Sequence, residues 1–162
     1  MPTINNASGF LINPARTCAF TGHRTLYDDF NGETVKKEIE KLLNDGFNTF
    51  LVGMAIGFDT ECFKILLNLK KENDIKIVAC IPCENQAAKF NAAQKKEYFS
   101  LIALADEIVI VSKEYTPICM KKRNEFMVNN SSVLIAYLKR DYGGTRQTVK
   151  VAEKQGKKII FV

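Results

Sequence analysis

Short, nearly continuous apolar runs alternate with longer amphipathic segments from Thr17 onward. The short runs are typical of strands buried on both faces, and the longer segments repeat apolar residues every three or four positions, as helices do. The pattern predicts strands at residues 17–20, 49–52, 76–81, 107–111, 132–138 and 158–161. It predicts helices at residues 33–44, 60–71, 87–104, 120–129 and 145–155.

This alternation predicts an α/β fold, a three-layer sandwich in which a mainly parallel sheet carries helices on both faces. Residues 1–16 show no period and are expected to form an N-terminal tail or an irregular cap. Residues 17–162 are expected to form one domain, because 162 residues with 46% apolar content match one domain with a sizeable core. Such sheets bind ligands beyond the carboxyl ends of their strands, where the strand order reverses.

Composition and the absence of long apolar runs indicate the cellular compartment. No apolar run approaches the roughly 20 residues that span a bilayer, and the first residues lack the basic segment and apolar core of a secretory signal. The five cysteines are odd in number and scattered, unlike a secreted disulfide framework. We therefore expect a cytoplasmic protein with no membrane partner.

Cys80 and Cys83 have the spacing of a redox motif. They are predicted to lie where a strand ends, without the helix N-terminus that lowers a thiol pKa, so an ordinary core role is expected. A metal site is not expected either, because the chain has one histidine and no second pair of cysteines.

The net charge of +5 suits either a phosphorylated small molecule or a nucleic acid. Most basic residues form doublets near predicted helix ends, such as Lys139-Arg140, a distribution typical of solvated surface. Aromatic residues do not alternate with these doublets as on a surface that stacks single strands. Nucleic acid is therefore not the favoured partner.

Three turns rich in small residues directly follow predicted strands. Glycine lets backbone N–H groups approach a ligand closely, and a following helix directs the positive end of its dipole at the same point. We therefore predict one anion site, with phosphate as the expected anion. Its candidate residues are Thr21, Gly22, His23 and Arg24 in the first turn, Gly53, Ala55, Gly57 and Asp59 in the second, and Gly143, Gly144 and Thr145 in the third.

The side chains of these turns suggest different roles. Arg24 presents a planar fork that matches a phosphate, whereas His23 serves as a donor, as a general acid and base, or as a packing or capping residue. Asp59 either caps the helix beside it or accepts hydrogen bonds from a ribose or a base, with Glu61 as the weaker second carboxylate. Thr145 is either a phosphate ligand or a cap.

The order and spacing of these motifs resemble a Rossmann-like superfamily, the SLOG type, which groups cytokinin-activating phosphoribohydrolases, the domain of DNA-processing protein A and the YpsA-type proteins. The three turns are most similar to the YpsA-like group, over nearly the whole chain from about Thr17. Arg123 and Met127 match the arginine and methionine that precede the phosphate loop of the phosphoribohydrolases. The resemblance implies a nucleotide ligand, AMP-like or ADP-ribose-like, no certain cofactor besides it, and a homo-oligomer.

One position departs from the phosphoribohydrolase pattern. Thr148 stands where that family has a catalytic glutamate, and N-glycosidic hydrolysis calls for a carboxylate near its oxocarbenium-like transition state. We therefore expect a nucleotide-binding or nucleotide-sensing domain. Two alternatives stay open: a phosphoribohydrolase-like enzyme in which Asp59 or Glu61 supplies the carboxylate and Arg123 positions the substrate, and a module that binds single-stranded DNA.

Overall fold

The computed structural model describes all 162 residues, in which strands alternate with helices. The strands are β1 (Thr3–Asn6), β2 (Thr17–Gly22), β3 (Thr49–Val52), β4 (Lys76–Cys83), β5 (Glu107–Ser112), β6 (Val133–Tyr137) and β7 (Lys158–Phe161). The helices are α1 (Gly32–Asn44), α2 (Phe58–Leu69), α3 (Ala92–Ile102), α4 (Cys119–Asn129) and α5 (Gly144–Lys154). Short 3-10 turns occupy Ala7–Gly9, Pro14–Arg16 and Gln86–Lys89.

All strands form one parallel sheet in the order β1-β5-β4-β3-β2-β6-β7. The chain moves outward from β2 through β3 and β4 to β5, and then returns across the sheet to β6. The strand order therefore reverses between β2 and β6, where Thr21 lies opposite Ala136 and Gly22 opposite Tyr137. The carboxyl ends of two neighbouring strands meet at this reversal, the place where open α/β sheets bind ligands.

Helices cover both faces of the sheet, which confirms the predicted three-layer α/β sandwich. Helices α1, α2 and α3 pack on one face and α4 and α5 on the other, each group over its own buried apolar cluster. In α1, the Asn31 side chain accepts a hydrogen bond from the N–H of Glu33, and Val35, Ile39 and Leu42 recur on the buried face. No helix combines the length and apolarity needed to cross a membrane.

The N-terminal segment differs from its prediction. Residues 1–16 are not an irregular tail throughout, because β1 pairs in parallel with β5, with Thr3 opposite Glu107. The strand lies at the sheet edge and its side chains are mostly exposed, so it needs no apolar run. Its pairing uses backbone groups and a hydrogen bond from the Asn5 amide to Glu107, neither of which hydropathy reveals.

The helix predicted at residues 87–104 is interrupted. A 3-10 turn, Gln86–Lys89, comes first, and α3 begins only after Asn91. The Asn91 side chain accepts a hydrogen bond from the Gln94 N–H at 2.9 Å, and the Gln94 side chain accepts one from the Asn91 N–H at 3.0 Å. This capping box starts a new helix inside a segment that composition alone makes continuous.

Strand β4 extends beyond its predicted end at residue 81, so Cys80 and Cys83 both lie within it. All five cysteines are free and buried, and burial raises the pKa of the Cys80 thiol to about 12. No three His, Cys, Asp or Glu side chains lie together in a position to hold a metal ion.

Candidate ligand-binding site

A cavity of about 450 Å³ opens at the carboxyl ends of β2 and β3, between the start of α5 and one face of α4. This volume lies in the usual range of small-molecule sites. Of the residues predicted from the sequence, the cavity is lined by Thr21, Gly22, His23, Arg24, Gly53, Ala55, Asp59, Arg123, Gly144 and Thr145. The three predicted turns therefore converge on one cavity.

The β6–α5 turn presents an open helix N-terminus to the cavity. No side chain caps α5, whose N-cap residue is Gly143, with φ of 92°. A Cβ added to Gly143 or Gly144 would have no neighbour within 4 Å. The first-turn N–H groups of a helix lack intrahelical partners, so Gly144 and Thr145 carry free donors and the positive end of the helix dipole at the cavity wall.

Arginine side chains add positive charge to the same wall. Arg24 is exposed on the β2–α1 loop, and Arg140 is half-buried on the β6–α5 turn. The Arg140 Nε atom is buried without a hydrogen-bond partner, and its guanidinium carbon lies 5.1 Å from the centre of the exposed Tyr142 ring. The guanidinium therefore has donor capacity that the chain itself does not use.

His23 holds the β6–α5 turn against β2. Its Nε2 atom accepts a hydrogen bond from the Lys139 backbone N–H at 2.9 Å, which places the proton of the neutral ring on Nδ1. Burial lowers the pKa of His23 and the charges of Arg140 and Lys139 lower it further, so the ring is neutral at pH 7. The sequence left packing and chemistry open for His23, and the structure shows it as a contact between two turns.

The other ring nitrogen of His23 faces a cation. Nδ1 lies 3.3 Å from Nη2 of Arg140. Since Nδ1 carries the proton in this tautomer, two hydrogen-bond donors face each other and neither satisfies the other. An acceptor oxygen placed beside both groups would satisfy both.

Asp59 forms the acidic part of the cavity wall. It is only 6% exposed, and its Oδ2 accepts a hydrogen bond from the Ala55 N–H at 3.1 Å. Burial raises the pKa of this carboxyl to about 6, against the opposing effects of Arg123 and of the Ala55 hydrogen bond. Asp59 is not the helix cap, because the N-cap of α2 is Gly57 and no side chain bonds there.

Arg123 is buried beneath the cavity and already bonded. Its Nη1 donates hydrogen bonds to the carbonyl oxygens of Gly53 and, at 3.3 Å, of Cys80, and its Nε donates to Asn124 Oδ1 at 2.8 Å. A buried guanidinium shared among carbonyls ties the ends of β3 and β4 to α4. Its role in the cavity is therefore chiefly to hold the wall.

The crowded glycines explain why the turns meet. A Cβ on Gly22 would lie 2.3 Å from the Phe58 ring, and a Cβ on Gly57 would lie 2.2 Å from the Arg24 carbonyl oxygen. A Cβ on Gly53 would lie 2.7 Å from Nη1 of Arg123. Each of these glycines makes room for a protein group.

Some of the predicted site residues do not line the cavity, and some of the lining residues were not predicted. Gly57, Gly143 and Glu61 do not line it, and Glu61 forms an ion pair with Lys64 at 3.5 Å. Thr148 donates its hydroxyl hydrogen to the Gly144 carbonyl oxygen at 2.8 Å. Lining residues that were not among the predicted site residues are Phe20, Thr25, Met120, Asn124, Met127 and Arg140. The sequence signal for the lining residues on α4 is helical spacing, because Met120 lies three residues before Arg123 and Asn124 three residues before Met127.

Comparison with known proteins shows the family. The YpsA family model, described as the YspA SLOG family, matches residues 29–160. The chain is 30% identical over 118 residues to an uncharacterized SPbeta prophage-derived protein YoqJ of Bacillus subtilis, covering 65% of this chain and 69% of that protein. It is 23% identical over 127 residues to the UPF0398 protein YpsA of the same organism, covering 76% and 71%. It is 26% identical over 100 residues to a UPF0398 protein of Streptococcus agalactiae. That match covers 61% of this chain and only 58% of the other protein.

Solved structures share the fold. DNA processing protein A (DprA) from Streptococcus pneumoniae superposes with a TM-score of 0.68 at 18% identity, over 91% of this chain and 50% of that one. DNA processing protein A from Helicobacter pylori, whose structure is described with a single-stranded DNA binding mode, gives 0.65 at 18% identity, over 91% and 65%. The chain therefore spans less than two thirds of either protein.

Proposed function

Since the chain belongs to the YspA SLOG family, we propose that its cavity binds a nucleotide or nucleotide-derived ligand, AMP-like or ADP-ribose-like, through a phosphate and a ribose. One observation carries the proposal: the uncapped N-terminus of α5 faces the same cavity as Arg24, Arg140 and the buried carboxylate of Asp59. The basic groups suit an anion, and the carboxylate suits hydroxyl groups.

The phosphate would bind at the β6–α5 turn. Helix N-termini bind phosphate through free backbone N–H groups and the helix dipole, and guanidinium groups add charge-assisted hydrogen bonds. Arg140 and the Nδ1–H of His23 face each other across 3.3 Å without an acceptor, which a phosphate oxygen supplies. Arg24 lies on the loop opposite and has no ion pair within the chain.

The ribose would bind at Asp59. A carboxyl group with a pKa of about 6 is mostly ionised at pH 7 and then accepts hydrogen bonds only. Ribose hydroxyls are donors that match it. Asp59 and the basic turn line one cavity, so one ligand reaches both.

Calorimetry with matched variants tests this proposal. AMP, ADP, ADP-ribose and NAD are titrated into the wild type, Arg24→Ala, Gly144→Leu and Arg16→Ala, with inorganic phosphate as the reference. Arg16 is an exposed arginine that lines neither the cavity nor its rim, so it controls for lost charge. Leucine at residue 144 meets no protein atom within 4 Å of its Cβ and blocks the helix N-terminus.

We expect at least one nucleotide to bind the wild type and Arg16→Ala alike, and to bind both site variants at least about tenfold more weakly. At 100 times its dissociation constant the ligand adds about 2.7 kcal/mol to the stability, visible as a higher Tm. The proposal is wrong if no nucleotide binds, or if Arg24→Ala and Gly144→Leu bind it unchanged.

Hydrolysis of an N-glycosidic bond is a second candidate, because Asp59 is a buried carboxyl in the cavity whose raised pKa of about 6 suits acid–base chemistry. Thr148 supplies no carboxylate, and its hydroxyl is bonded within α5. The test is release of free base from nucleoside monophosphates during long incubation. Base release that disappears in Asp59→Asn would support the hydrolase hypothesis. If the wild type releases no base, the hypothesis is wrong.

Single-stranded DNA is a third candidate, because Tyr142 is 68% exposed beside Arg140 and offers a stacking face. The Helicobacter pylori neighbour is described as binding single-stranded DNA. Binding that contacts several phosphates weakens steeply with salt. A steep salt dependence that Tyr142→Ala diminishes supports this candidate, and a flat one removes it.

A further inference from the structure

A second cavity, of about 580 Å³, adjoins the first. It lies between the end of β4, the 3-10 turn Gln86–Lys89 and the start of α3. Three residues, Arg24, Ala55 and Met120, line both cavities. A ligand long enough to extend past these three residues would therefore occupy both cavities.

The second cavity is more apolar than the first. Apolar side chains form most of its lining, including two aromatic rings, Phe90 and Tyr115. Its charged residues are Arg24 and Lys89, and neither Asp nor Glu lines it. Tyr115 is 66% exposed, so much of its side chain is open to a ligand. The apolar and aromatic lining suits a flat ring.

Amide groups add polar contacts of a particular kind. Both polar ends of Gln86 are held within the chain, because its Nε2 donates to the Gly53 carbonyl oxygen at 3.0 Å and its Oε1 accepts from the Tyr98 hydroxyl at 3.1 Å. Gln94 uses only its Oε1, in the capping box with Asn91, and its Nε2 makes no hydrogen bond within the chain. The amide donor of Gln94 is thus free for a ring acceptor.

We propose that the second cavity receives the heteroaromatic base of the ligand whose phosphate and ribose occupy the first. The inference rests on the proposed function and specifies its ligand: an extended nucleotide with the phosphate at α5 and the ring in the cavity that Phe90 and Tyr115 line. Stacking on aromatic rings tolerates any base, and the free Gln94 amide favours a ring nitrogen acceptor.

A pair of ligands separates the two cavities experimentally. AMP carries the base, and ribose 5-phosphate is the same molecule without it. Both are titrated into the wild type, Ala88→Trp, which fills the second cavity from an exposed position on its wall, and Tyr115→Ala. The controls are Ala93→Trp on exposed α3 surface and Phe99→Ala, an exposed aromatic that lines neither cavity.

We expect AMP to bind the wild type at least about tenfold more tightly than ribose 5-phosphate, as stacking of one base provides. Ala88→Trp should remove this advantage, and Tyr115→Ala should reduce it, while ribose 5-phosphate binds all five proteins alike. Both control variants should retain the full advantage.

Other outcomes overturn the inference, and they are distinguishable from failure of the proposed function. If AMP and ribose 5-phosphate bind the wild type equally, the second cavity holds no base, although the first still holds its phosphate. If Ala88→Trp weakens both ligands equally, the cavities are not separate compartments. If pentyl phosphate gains the same advantage as AMP, any apolar group fills the cavity. If other nucleotides bind but neither AMP nor ribose 5-phosphate does, the ligand differs from the one inferred. If no nucleotide binds, the proposed function is itself wrong.

Discussion

The β3–α2 turn and the β6–α5 turn each place two glycines after a buried strand, but their surroundings differ. In the first, added Cβ atoms would lie 2.7 Å from Arg123 at Gly53 and 2.2 Å from the Arg24 carbonyl oxygen at Gly57. In the second, Gly143 and Gly144 have no neighbour within 4 Å. The first pair of glycines makes room for neighbouring protein atoms, and the space beside the second pair is empty.

The two turns also differ in charge and strain. The β3–α2 turn leads to a buried carboxyl group, Asp59, and contains Met54, a non-glycine residue with φ of 63°. The β6–α5 turn carries Lys139 and Arg140 and opens onto an uncapped helix. Similar glycine patterns therefore contribute to one cavity, and burial and charge, not glycine content, distinguish the turn that packs against the protein from the turn that is open to the cavity.

The largest expected effect separates the turns by stability. Gly57→Ala introduces both a strained φ of 83° and a clash with backbone, so we expect the free energy of unfolding to fall by about 3 kcal/mol or more. Gly143→Ala has a comparable φ of 92° without the clash and should lose less, about 1–2 kcal/mol. Urea unfolding of both variants measures the difference. Equal losses would mean that the Arg24 carbonyl oxygen beside Gly57 adds no cost beyond that of the backbone conformation.

The next effect depends on pH and belongs to Asp59. Its pKa is raised by burial to about 6, from 3.8, so ionisation destabilises the folded state progressively between pH 4 and 6 and fully above that. Asp59→Asn should therefore raise the stability at pH 7.5 by up to about 3 kcal/mol and leave it unchanged below pH 4. Urea unfolding at both pH values measures this. A variant that is destabilised more at pH 7.5 than at pH 4 would show that the ionised carboxylate is stabilising.

A smaller effect concerns the proposed anion site on the β6–α5 turn. Arg140→Ala should weaken binding of a phosphate-bearing nucleotide about tenfold, because it removes a charge-assisted donor. Arg146→Ala serves as the matched control, since Arg146 is held at 3.0 Å by Asp141 and does not line the cavity. Calorimetry compares the two. Equal weakening in both would assign the effect to net charge rather than to a contact.

The smallest expected change in stability is at Gly144. Its φ is not positive and its Cβ position is open, so Gly144→Ala should change the free energy of unfolding by less than about 1 kcal/mol, in the stabilising direction. Nucleotide affinity should nevertheless fall, because the methyl group stands at the helix N-terminus. Thermal unfolding without ligand, followed by calorimetry, measures both. Loss of stability together with affinity would show that Gly144 serves packing.

The fold was predictable wherever an apolar run had a clear start. Strands β3 and β7 begin and end at the predicted residues, because polar residues precede each apolar run and Gly53 follows β3. Strand β1 was missed because an edge strand of polar residues carries no such signal. The break before α3 was missed because a capping box involving Asn91 acts through hydrogen bonds rather than hydropathy.

The site was predictable only in part, for a different reason. Glycine turns at strand ends converge because parallel strands share an edge, so Gly53 and Gly144 came together as expected. Arg140 was assigned to solvated surface as half of a basic doublet. Its contact with His23 joins residues 117 positions apart, and no local pattern encodes such a distance.

The reversal of strand order between β2 and β6 also determines when the cavity exists. Strands β2 to β5 are joined by consecutive local crossovers, whereas β6 reaches β2 only after most of the chain has been synthesised. Pairings that span long stretches of chain form late and slowly during folding. A partly folded chain therefore has no complete cavity. A ligand bound as proposed would stabilise only the finished sheet, and would slow the release of β6 and α5 from β2.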